Sequence, residues 1–180
     1  MLDEKDSLLF IVDIQDKLLN SVYNKQELEK KSAILVKTAS LLNIPIIVTE
    51  QYPKGLGETI TSLKNVMPEN VKYFEKTSFS ALENSDFKEY ITALNKKQII
   101  LCGIETHICV SQTAQELIKN GYEVFLVSDA SGSRAEKEHA AGILRMQYAG
   151  ANIITTEIGI FELLRTSKHP MFKEVQGLIK

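Results

Sequence analysis

The sequence predicts an α/β fold, specifically a three-layer α/β/α sandwich around a six-stranded parallel sheet. Six short apolar runs alternate with longer segments of helical periodicity, which is the pattern of right-handed βαβ units. Most of these runs are continuous in Val, Ile and Leu, as expected for parallel strands that are covered on both faces. With 44% apolar and 24% charged residues, the composition is that of a folded globular chain.

The length predicts one domain over residues 1–180, because domains cluster at about 100–150 residues and no linker or repeat divides the chain. The 21 basic and 23 acidic residues give a net charge of −2, without the basic footprint of nucleic-acid-binding proteins. No apolar run approaches the ~18 residues of a membrane span, and the first residues lack the basic start of a signal peptide. We therefore expect a soluble, cytoplasmic protein that acts on a small molecule, with no nucleic-acid or membrane partner.

The predicted strands are short apolar runs that lead into polar residues. They cover residues 8–14, 45–51, 71–76, 98–105, 123–129 and 151–157. The predicted helices carry their apolar residues on one face and cover residues 27–43, 108–120 and 135–149. Gly121 supplies the stop of the second helix, and Ser133 and Glu136 have the spacing of a capping box for the third.

The segment 169–180 is predicted to form a last amphipathic helix. Its apolar face contains Phe172, Val175 and Ile179. Such a helix docks on the body of the protein or on a partner subunit. Because this face exceeds what a six-stranded core requires, we expect the protein to form a homo-oligomer, either a dimer or a larger assembly.

Three chemically useful side chains lie at the carboxyl ends of predicted strands, where open α/β sheets bind their ligands. Asp13 follows the first strand, Lys76 ends the third, and Cys109 follows the fourth after a glycine-containing loop. A carboxylate that leaves a buried strand is suited to proton transfer, although Asp is also a common helix cap. A lysine at a strand end is usually only solvated, so Lys76 is a functional candidate because Asp13 and Cys109 lie at the same edge of the sheet.

The two cysteines are predicted to behave differently. With Thr106 as the helix cap, Cys109 lies in the first turn of a helix, where the helix dipole and a cation such as Lys76 lower the pKa of a thiol. We expect Cys109 to be a thiolate near neutral pH, although a small buried core residue is the plain alternative. Cys102 lies inside an apolar strand, where we expect it to be inert.

The sequence has no pattern that predicts a metal or a cofactor. The histidines at positions 107, 139 and 169 have no metal-ligand spacing, and His139 is predicted to lie on a solvated helix face. No dinucleotide-binding or Walker A glycine motif is present. We therefore expect no metal and no cofactor.

Four blocks together resemble the isochorismatase-like cysteine hydrolase family. They are FIVDIQ at 10–15, TEQYPKGLG at 49–57, EKTSFS at 75–80 and GIETHICV at 103–110. The similarity continues through GYEVFLVSDA at 121–130 and covers essentially the whole chain. The second and fourth blocks, with the tail HPMFKE at 169–174, are most similar to the isochorismatase domain-containing subgroup.

The resemblance implies a Rossmann-like sheet of strand order 3-2-1-4-5-6 and a role for each matching residue. Asp13, Lys76 and Cys109 match the family's Asp-Lys-Cys triad. The family's cis peptide would join Ile104 to Glu105, and the amides of Glu105 and Cys109 would bind an oxyanion.

The resemblance also narrows the chemistry. The metal-binding Asp-x-His pattern of nicotinamidases is replaced by Thr49-Glu-Gln, and the retained Cys109 favours hydrolysis of a small amide or related carbonyl compound through a thioester. The best candidates for lining the substrate pocket are Gln15, Tyr52, Phe79 and His107.

Three alternative functions stay open at this stage. A haloacid-dehalogenase-type phosphatase would use Asp13 as nucleophile and Thr49 to bind phosphate, but the sequence lacks the second aspartate two residues further on. A vinyl-ether hydrolase of the isochorismate type would survive the loss of Cys109. A non-catalytic scaffold or ligand-binding protein would keep the fold with a vestigial triad.

Overall fold

A computed structural model describes residues 1–180 of the chain. The strands are β1 (Ser7–Val12), β2 (Ile46–Gln51), β3 (Lys72–Lys76), β4 (Gln98–Ile104), β5 (Glu123–Gly132) and β6 (Asn152–Ile154). The helices are α1 (Asp16–Leu19), α2 (Lys25–Leu41), α3 (Pro53–Leu56), α4 (Thr61–Lys64), α5 (Ser85–Ala93), α6 (Ser111–Lys119), α7 (Glu136–Tyr148), α8 (Thr156–Leu164) and α9 (Phe172–Gly177). A 3₁₀ turn covers Ala81–Glu83, and a π-helical turn covers Thr106–Val110.

The six strands form one parallel sheet in the order β3-β2-β1-β4-β5-β6, which confirms the predicted fold class. In the centre of the sheet, Leu9 of β1 pairs with Ile46 of β2 on one side and with Ile100 of β4 on the other. The strand order reverses between β1 and β4, so the carboxyl ends of these two strands flank a crevice of the kind that binds ligands in this architecture.

The core lies on both faces of the sheet, and every residue of β1 is therefore buried. Leu9 and Ile11 belong to the apolar layer under α2, α8 and α9, whereas Leu8, Phe10 and Val12 belong to the layer under α5, α6 and α7. Full burial of one such side chain contributes about 1.5–3 kcal/mol. The two layers therefore fix the position of the residue that follows β1.

Three predicted element boundaries differ from those in the structure. The last strand ends at Ile154 rather than at residue 157, because Thr155 caps α8 and accepts a hydrogen bond from the amide of Ile158. The predicted helix 108–120 is divided into the π-helical turn and α6. The fifth strand continues past residue 129 to Gly132, after a register shift opposite β4.

The predicted capping box before α7 is also absent. Ala135 is the N-cap residue, and it makes no side-chain capping bond. The Ser133 hydroxyl instead pairs with the Nδ1 atom of His107 at 3.0 Å. This serine therefore connects the residues just before α7 to the turn that follows β4.

The C-terminal helix is shorter than predicted and packs on its own chain. Val175 is fully buried in the layer that contains α2 and α8, and Phe172 and Ile179 pack against the same layer. The apolar face of this helix is therefore used within the protomer, and the reason given above for self-association is wrong. No helix in the structure has the length and apolarity required to cross a membrane.

Candidate active site

Asp13 lies in the crevice between the carboxyl ends of β1 and β4 and is completely buried. Its backbone has a φ of 53°, and its amide donates to the carbonyl of Thr49 at 3.1 Å. The Thr49 hydroxyl donates to Asp13 Oδ1 at 2.8 Å, and Lys76 Nζ donates to Asp13 Oδ2 at 2.6 Å. Both carboxylate oxygens are thus held by groups from β2 and β3, and the carboxylate has one defined orientation.

Lys76 reaches Asp13 across β2, and its side chain is 1% exposed. Its ammonium group also donates to Gln51 Oε1 at 2.6 Å and to the carbonyls of Ser78 and Phe79 at 3.2 Å each. A buried charge is costly unless it is paired and hydrogen-bonded. The four oxygens around the ammonium meet that requirement and place a cation beside the Asp13 carboxylate.

Gln51 is a site residue to which the sequence analysis assigned no role. Besides accepting from Lys76, it donates through Nε2 to the carbonyl of Thr77 at 2.8 Å. Gln51 and Lys76 are register partners in β2 and β3, so a sequence-derived strand register would have placed them side by side. Gln51 thus provides a second side-chain oxygen that fixes the Lys76 head group.

Gln15 does not have a free side chain for substrate, contrary to the expectation. Its Oε1 accepts from the amide of Gln51 at 2.7 Å, and its Nε2 donates to the carbonyls of Gln51 at 3.0 Å and Gly57 at 2.5 Å. The residue is completely buried. Gln15 therefore holds the loop after β2 in place, and with it the backbone of Gln51.

Cys109 lies in the π-helical turn Thr106–Val110, hereafter the Cys109 turn, and is 7% exposed. Burial and the neighbouring Asp13 carboxylate raise the pKa of its thiol to about 12, and the Lys76 ammonium only partly offsets them. Burial also raises the pKa of Asp13, against the opposing effects of Lys76 and Thr49. Both effects on the Cys109 thiol run against the expectation of a thiolate near neutral pH. They favour a resting state in which a neutral thiol lies beside the pair of Asp13 and Lys76.

This resting state predicts how Cys109 responds to an alkylating agent. The reactive form is the thiolate, whose fraction rises about tenfold per pH unit below the pKa of the thiol. Modification by iodoacetamide should therefore be slow at about pH 6.5 and should accelerate up to at least about pH 9, as followed by intact mass and peptide mapping. A rate that levels off below about pH 8 would mean that the thiol already ionises there.

Cys102 behaves as the sequence predicts for a core cysteine. It is completely buried in β4, on the opposite face of the sheet from Cys109. Burial is the main cause that raises the pKa of its thiol to about 12. Both cysteines are free, so Cys102 is an internal control for the reactivity of Cys109.

The peptide bond that joins Ile104 to Glu105 is cis, at the end of β4 and immediately before the Cys109 turn. The carbonyl of Glu105 accepts from the amides of Ile108 at 3.0 Å and Val110 at 3.2 Å, whereas the amide of Glu105 donates to no backbone carbonyl. An unpaired amide beside the nucleophile is the type of donor that binds a developing oxyanion.

The environments of Thr106 and His139 differ from the predicted helix cap and the predicted solvated histidine. The Thr106 hydroxyl pairs with His139 Nδ1 at 2.9 Å and does not cap a helix, since Glu105 is the residue that precedes the turn. His139 is 8% exposed rather than solvated, and burial lowers the pKa of its imidazole. The ring is therefore part of the packing behind the Cys109 turn.

The three remaining pocket candidates lie in different environments. Tyr52 is 55% exposed and, with Lys76, lines a cavity of 430 Å³ that neither Asp13 nor Cys109 borders. Phe79 is 53% exposed, and only its carbonyl contacts Lys76. His107 is half-buried and is bound to Ser133. Tyr52 and Phe79 are thus exposed aromatic residues near Lys76, and His107 is held by Ser133.

No group of three or more His, Cys, Asp or Glu side chains is arranged to hold a metal ion. The Asp13 carboxylate binds a hydroxyl and an ammonium group, and the Cys109 thiol lies beside it. The arrangement is therefore suited to proton transfer and nucleophilic attack by a thiol.

The chain matches one protein family and several known proteins over most of its length. Residues 7–158 match the isochorismatase domain. The chain is 39% identical over 178 residues to isochorismatase domain-containing protein 2 of Xenopus laevis, covering 99% of this chain and 85% of that one. It superposes with a TM-score of 0.94 on the MAR1 ribonuclease of Caenorhabditis elegans, at 39% identity over 99% of this chain and 91% of that one.

A third similar protein is YcaC, solved from two bacteria. The Pseudomonas aeruginosa protein, with hexane-2,5-diol and covalent acrylamide, is 30% identical with a TM-score of 0.92, covering 98% of this chain and 90% of that one. The Escherichia coli protein, an octameric hydrolase of unknown specificity, is 29% identical with a TM-score of 0.90, covering 99% of this chain and 94% of that one.

Proposed function

The chain belongs to the isochorismatase family, and from that premise we propose that it hydrolyses a small amide or related carbonyl compound through a thioester on Cys109. The observation that carries the proposal is the fully buried ion pair of Asp13 and Lys76, in which the two charged atoms are 2.6 Å apart beside the Cys109 thiol. A carboxylate with a raised pKa is a stronger base than an ordinary one. It is therefore matched to a thiol that has to lose its proton during attack.

The first half-reaction forms the acyl-enzyme. As the sulfur of Cys109 bonds to the substrate carbonyl carbon, its proton passes to Asp13 and the carbonyl electron pair moves onto oxygen. The carbonyl then re-forms, the carbon–nitrogen bond breaks, and Asp13 returns the proton to the leaving amine. The Lys76 ammonium group stabilises the negative charge that moves between carboxylate and sulfur.

The second half-reaction reverses these roles with water. Asp13 removes a proton from water while the oxygen attacks the thioester carbonyl, the carbon–sulfur bond breaks, and the proton returns to the Cys109 sulfur. One amide and one water thus give one carboxylic acid and one amine. The amides of Glu105 and Cys109 would bind the oxyanion in both half-reactions.

The covalent acrylamide in a relative supports a nucleophile in this family. Acrylamide forms a covalent bond by accepting a nucleophile at its terminal carbon, and in the YcaC structure it is covalently attached. In this chain Cys109 is the thiol that lies beside a carboxylate and an ammonium group.

RNA hydrolysis is a second candidate function. It is favoured by the structural similarity to MAR1 ribonuclease at 39% identity and a TM-score of 0.94. The near-neutral charge of this chain, −2, does not provide the phosphate-binding footprint of nucleic-acid-binding proteins. RNA cleavage that persists in Cys109→Ala would favour this candidate. Vinyl-ether hydrolysis that persists in the same variant would favour the isochorismate-type alternative.

We also propose that the protein forms one domain and assembles into a homo-oligomer. The octameric state of the Escherichia coli YcaC protein supports self-association, and Tyr52, Phe79, Leu144 and Tyr148 leave large apolar side chains exposed on the protomer. Light scattering at micromolar concentration should report a species of at least twice the 20.2 kDa chain mass. A 20.2 kDa species alone would contradict this proposal.

A panel of small primary amides tests the catalytic proposal. The wild-type protein should release ammonia from at least one of them, in buffer that contains a chelator, because neither half-reaction uses a metal ion. No ammonia from any amide of the panel, together with turnover of a vinyl ether or of RNA, would contradict it.

A further inference from the structure

The end of β4 and the Cys109 turn are attached through three consecutive residues to the loop that follows β5 and to the first half of α7. The Glu105 carboxylate binds Arg134, the Thr106 hydroxyl binds His139, and the His107 ring binds Ser133. At a fourth point the two segments touch through their backbones: a Cβ atom on Gly142 of α7 would lie 2.9 Å from backbone atoms of His107. The segment 133–142, hereafter the backing segment, therefore lies directly behind the nucleophile.

The link between Glu105 and Arg134 has the most demanding geometry of the three. Arg134 Nε donates to Glu105 Oε1 at 2.9 Å, and its Nη2 donates to Oε2 at 2.6 Å, so the pair is bidentate. The Arg134 amide adds a third bond to Oε1 at 3.1 Å. This pairing lowers the pKa of Glu105. A fork of this kind fixes direction as well as distance.

Glu105 is held at both ends while its amide stays unpaired. Its side chain is bound by Arg134, and its carbonyl accepts from the amides of Ile108 and Val110 in the Cys109 turn. Its amide donates to no backbone carbonyl. The residue thus connects the backing segment to the Cys109 turn, and the orientation of its free N–H depends on both attachments.

We propose that Arg134 is a positioning residue that aligns the Glu105 amide for oxyanion binding during acylation of Cys109. This inference rests on the proposed function, because it presupposes acyl transfer to the thiol. A merely structural role fits the observations less well. The Arg134 side chain is 63% exposed and the Glu105 side chain 10%, so solvent screens the pair on the arginine side and limits what it adds to stability. The bidentate fork still sets the direction of the Glu105 side chain.

The test compares two reactions of Cys109 that differ in whether an oxyanion forms. With p-nitrophenyl acetate, the sulfur bonds to the ester carbonyl carbon, the carbonyl oxygen becomes an oxyanion, the ester carbon–oxygen bond breaks, and p-nitrophenolate leaves while Asp13 holds the thiol proton. With iodoacetamide, the sulfur displaces iodide from a methylene carbon and no oxyanion forms. Burst absorbance follows the first reaction, and intact mass follows the second.

Arg134→Ala should slow acetylation of Cys109 by roughly tenfold to a hundredfold, because loss of a whole oxyanion donor costs about 10²–10³ and this donor is displaced rather than removed. Alkylation by iodoacetamide should change by less than about twofold. Arg134→Lys keeps the charge without the fork and should recover part of the acetylation rate. Arg145→Ala, an exposed arginine on α7, is the matched control and should leave both rates unchanged.

The outcomes separate the inference from the proposed function. Unchanged acetylation in Arg134→Ala, or equal losses in acetylation and alkylation, would overturn the role of Arg134 while wild-type acetylation of Cys109 still supports the thioester chemistry. A wild-type protein that is alkylated but never acetylated at Cys109 would overturn both.

Discussion

Replacing Cys109 with alanine is expected to lower hydrolysis by at least about 10³-fold, because the variant lacks the sulfur on which the proposed acyl-enzyme forms. Asp13 and Lys76 would still lie in place and would still polarise bound substrate, so binding should change much less than turnover. The variant should fold, since the side chain removed is small. Steady-state kinetics and a substrate-binding measurement on the same preparation distinguish these two effects.

Cys102→Ala provides the matched control for this variant. Cys102 is completely buried on the other face of the sheet, so its truncation should cost about 1 kcal/mol of stability and should leave turnover within about twofold of wild type. If Cys109→Ala retained full hydrolysis, the thioester mechanism would be excluded. The vinyl-ether and ribonuclease functions would then take precedence.

The second large effect is expected from the buried pair of Asp13 and Lys76. Their side chains are 0% and 1% exposed, so removal of either one leaves the other as an uncompensated buried charge. Breaking such a pair typically costs about 3–5 kcal/mol. We expect that loss in the free energy of unfolding for both Asp13→Asn and Lys76→Met, as measured by urea denaturation, and turnover at least about 10³-fold below wild type.

The double variant Asp13→Asn/Lys76→Met separates stability from catalysis. With both charges removed, stability should return to within about 1–2 kcal/mol of wild type, because a buried pair and a neutral replacement are often close in free energy. Turnover should stay lost. Removing the exposed pair of Lys64 and Glu58 should hardly change stability and serves as the control. Additive losses in the double variant would mean that the two charges do not compensate each other.

The fold and the three central residues follow from features that the sequence displays directly. Continuous apolar runs define the strands, and the residues at their carboxyl ends meet at one edge once the strand order is known. Lys76 lies two strands away from Asp13 in that order, yet the long side chain spans β2 and reaches the carboxylate at 2.6 Å. Strand ends, together with the family resemblance, were sufficient to select Asp13, Lys76 and Cys109.

The expectations that failed depended on packing, which a linear pattern does not contain. The helix dipole and Lys76 predicted a low pKa for Cys109, but burial and the Asp13 carboxylate act more strongly in the opposite direction. Gln15 was expected to line the substrate pocket, whereas its side-chain amide binds backbone carbonyls of Gln51 and of the loop after β2. Gln51 received no role, because its contact with Lys76 depends on the register between β2 and β3.

The central claim is that a thioester forms on Cys109, and the most direct measurement is the intact mass of the enzyme quenched by acid during turnover of an active amide. The account predicts a population whose added mass equals the acyl group of that amide, located by peptide mapping on Cys109, absent from Cys109→Ala and present in Cys102→Ala. Turnover without any added mass on Cys109 in a quench fast enough to resolve a single turnover, or an acyl group on Asp13 instead, would contradict it.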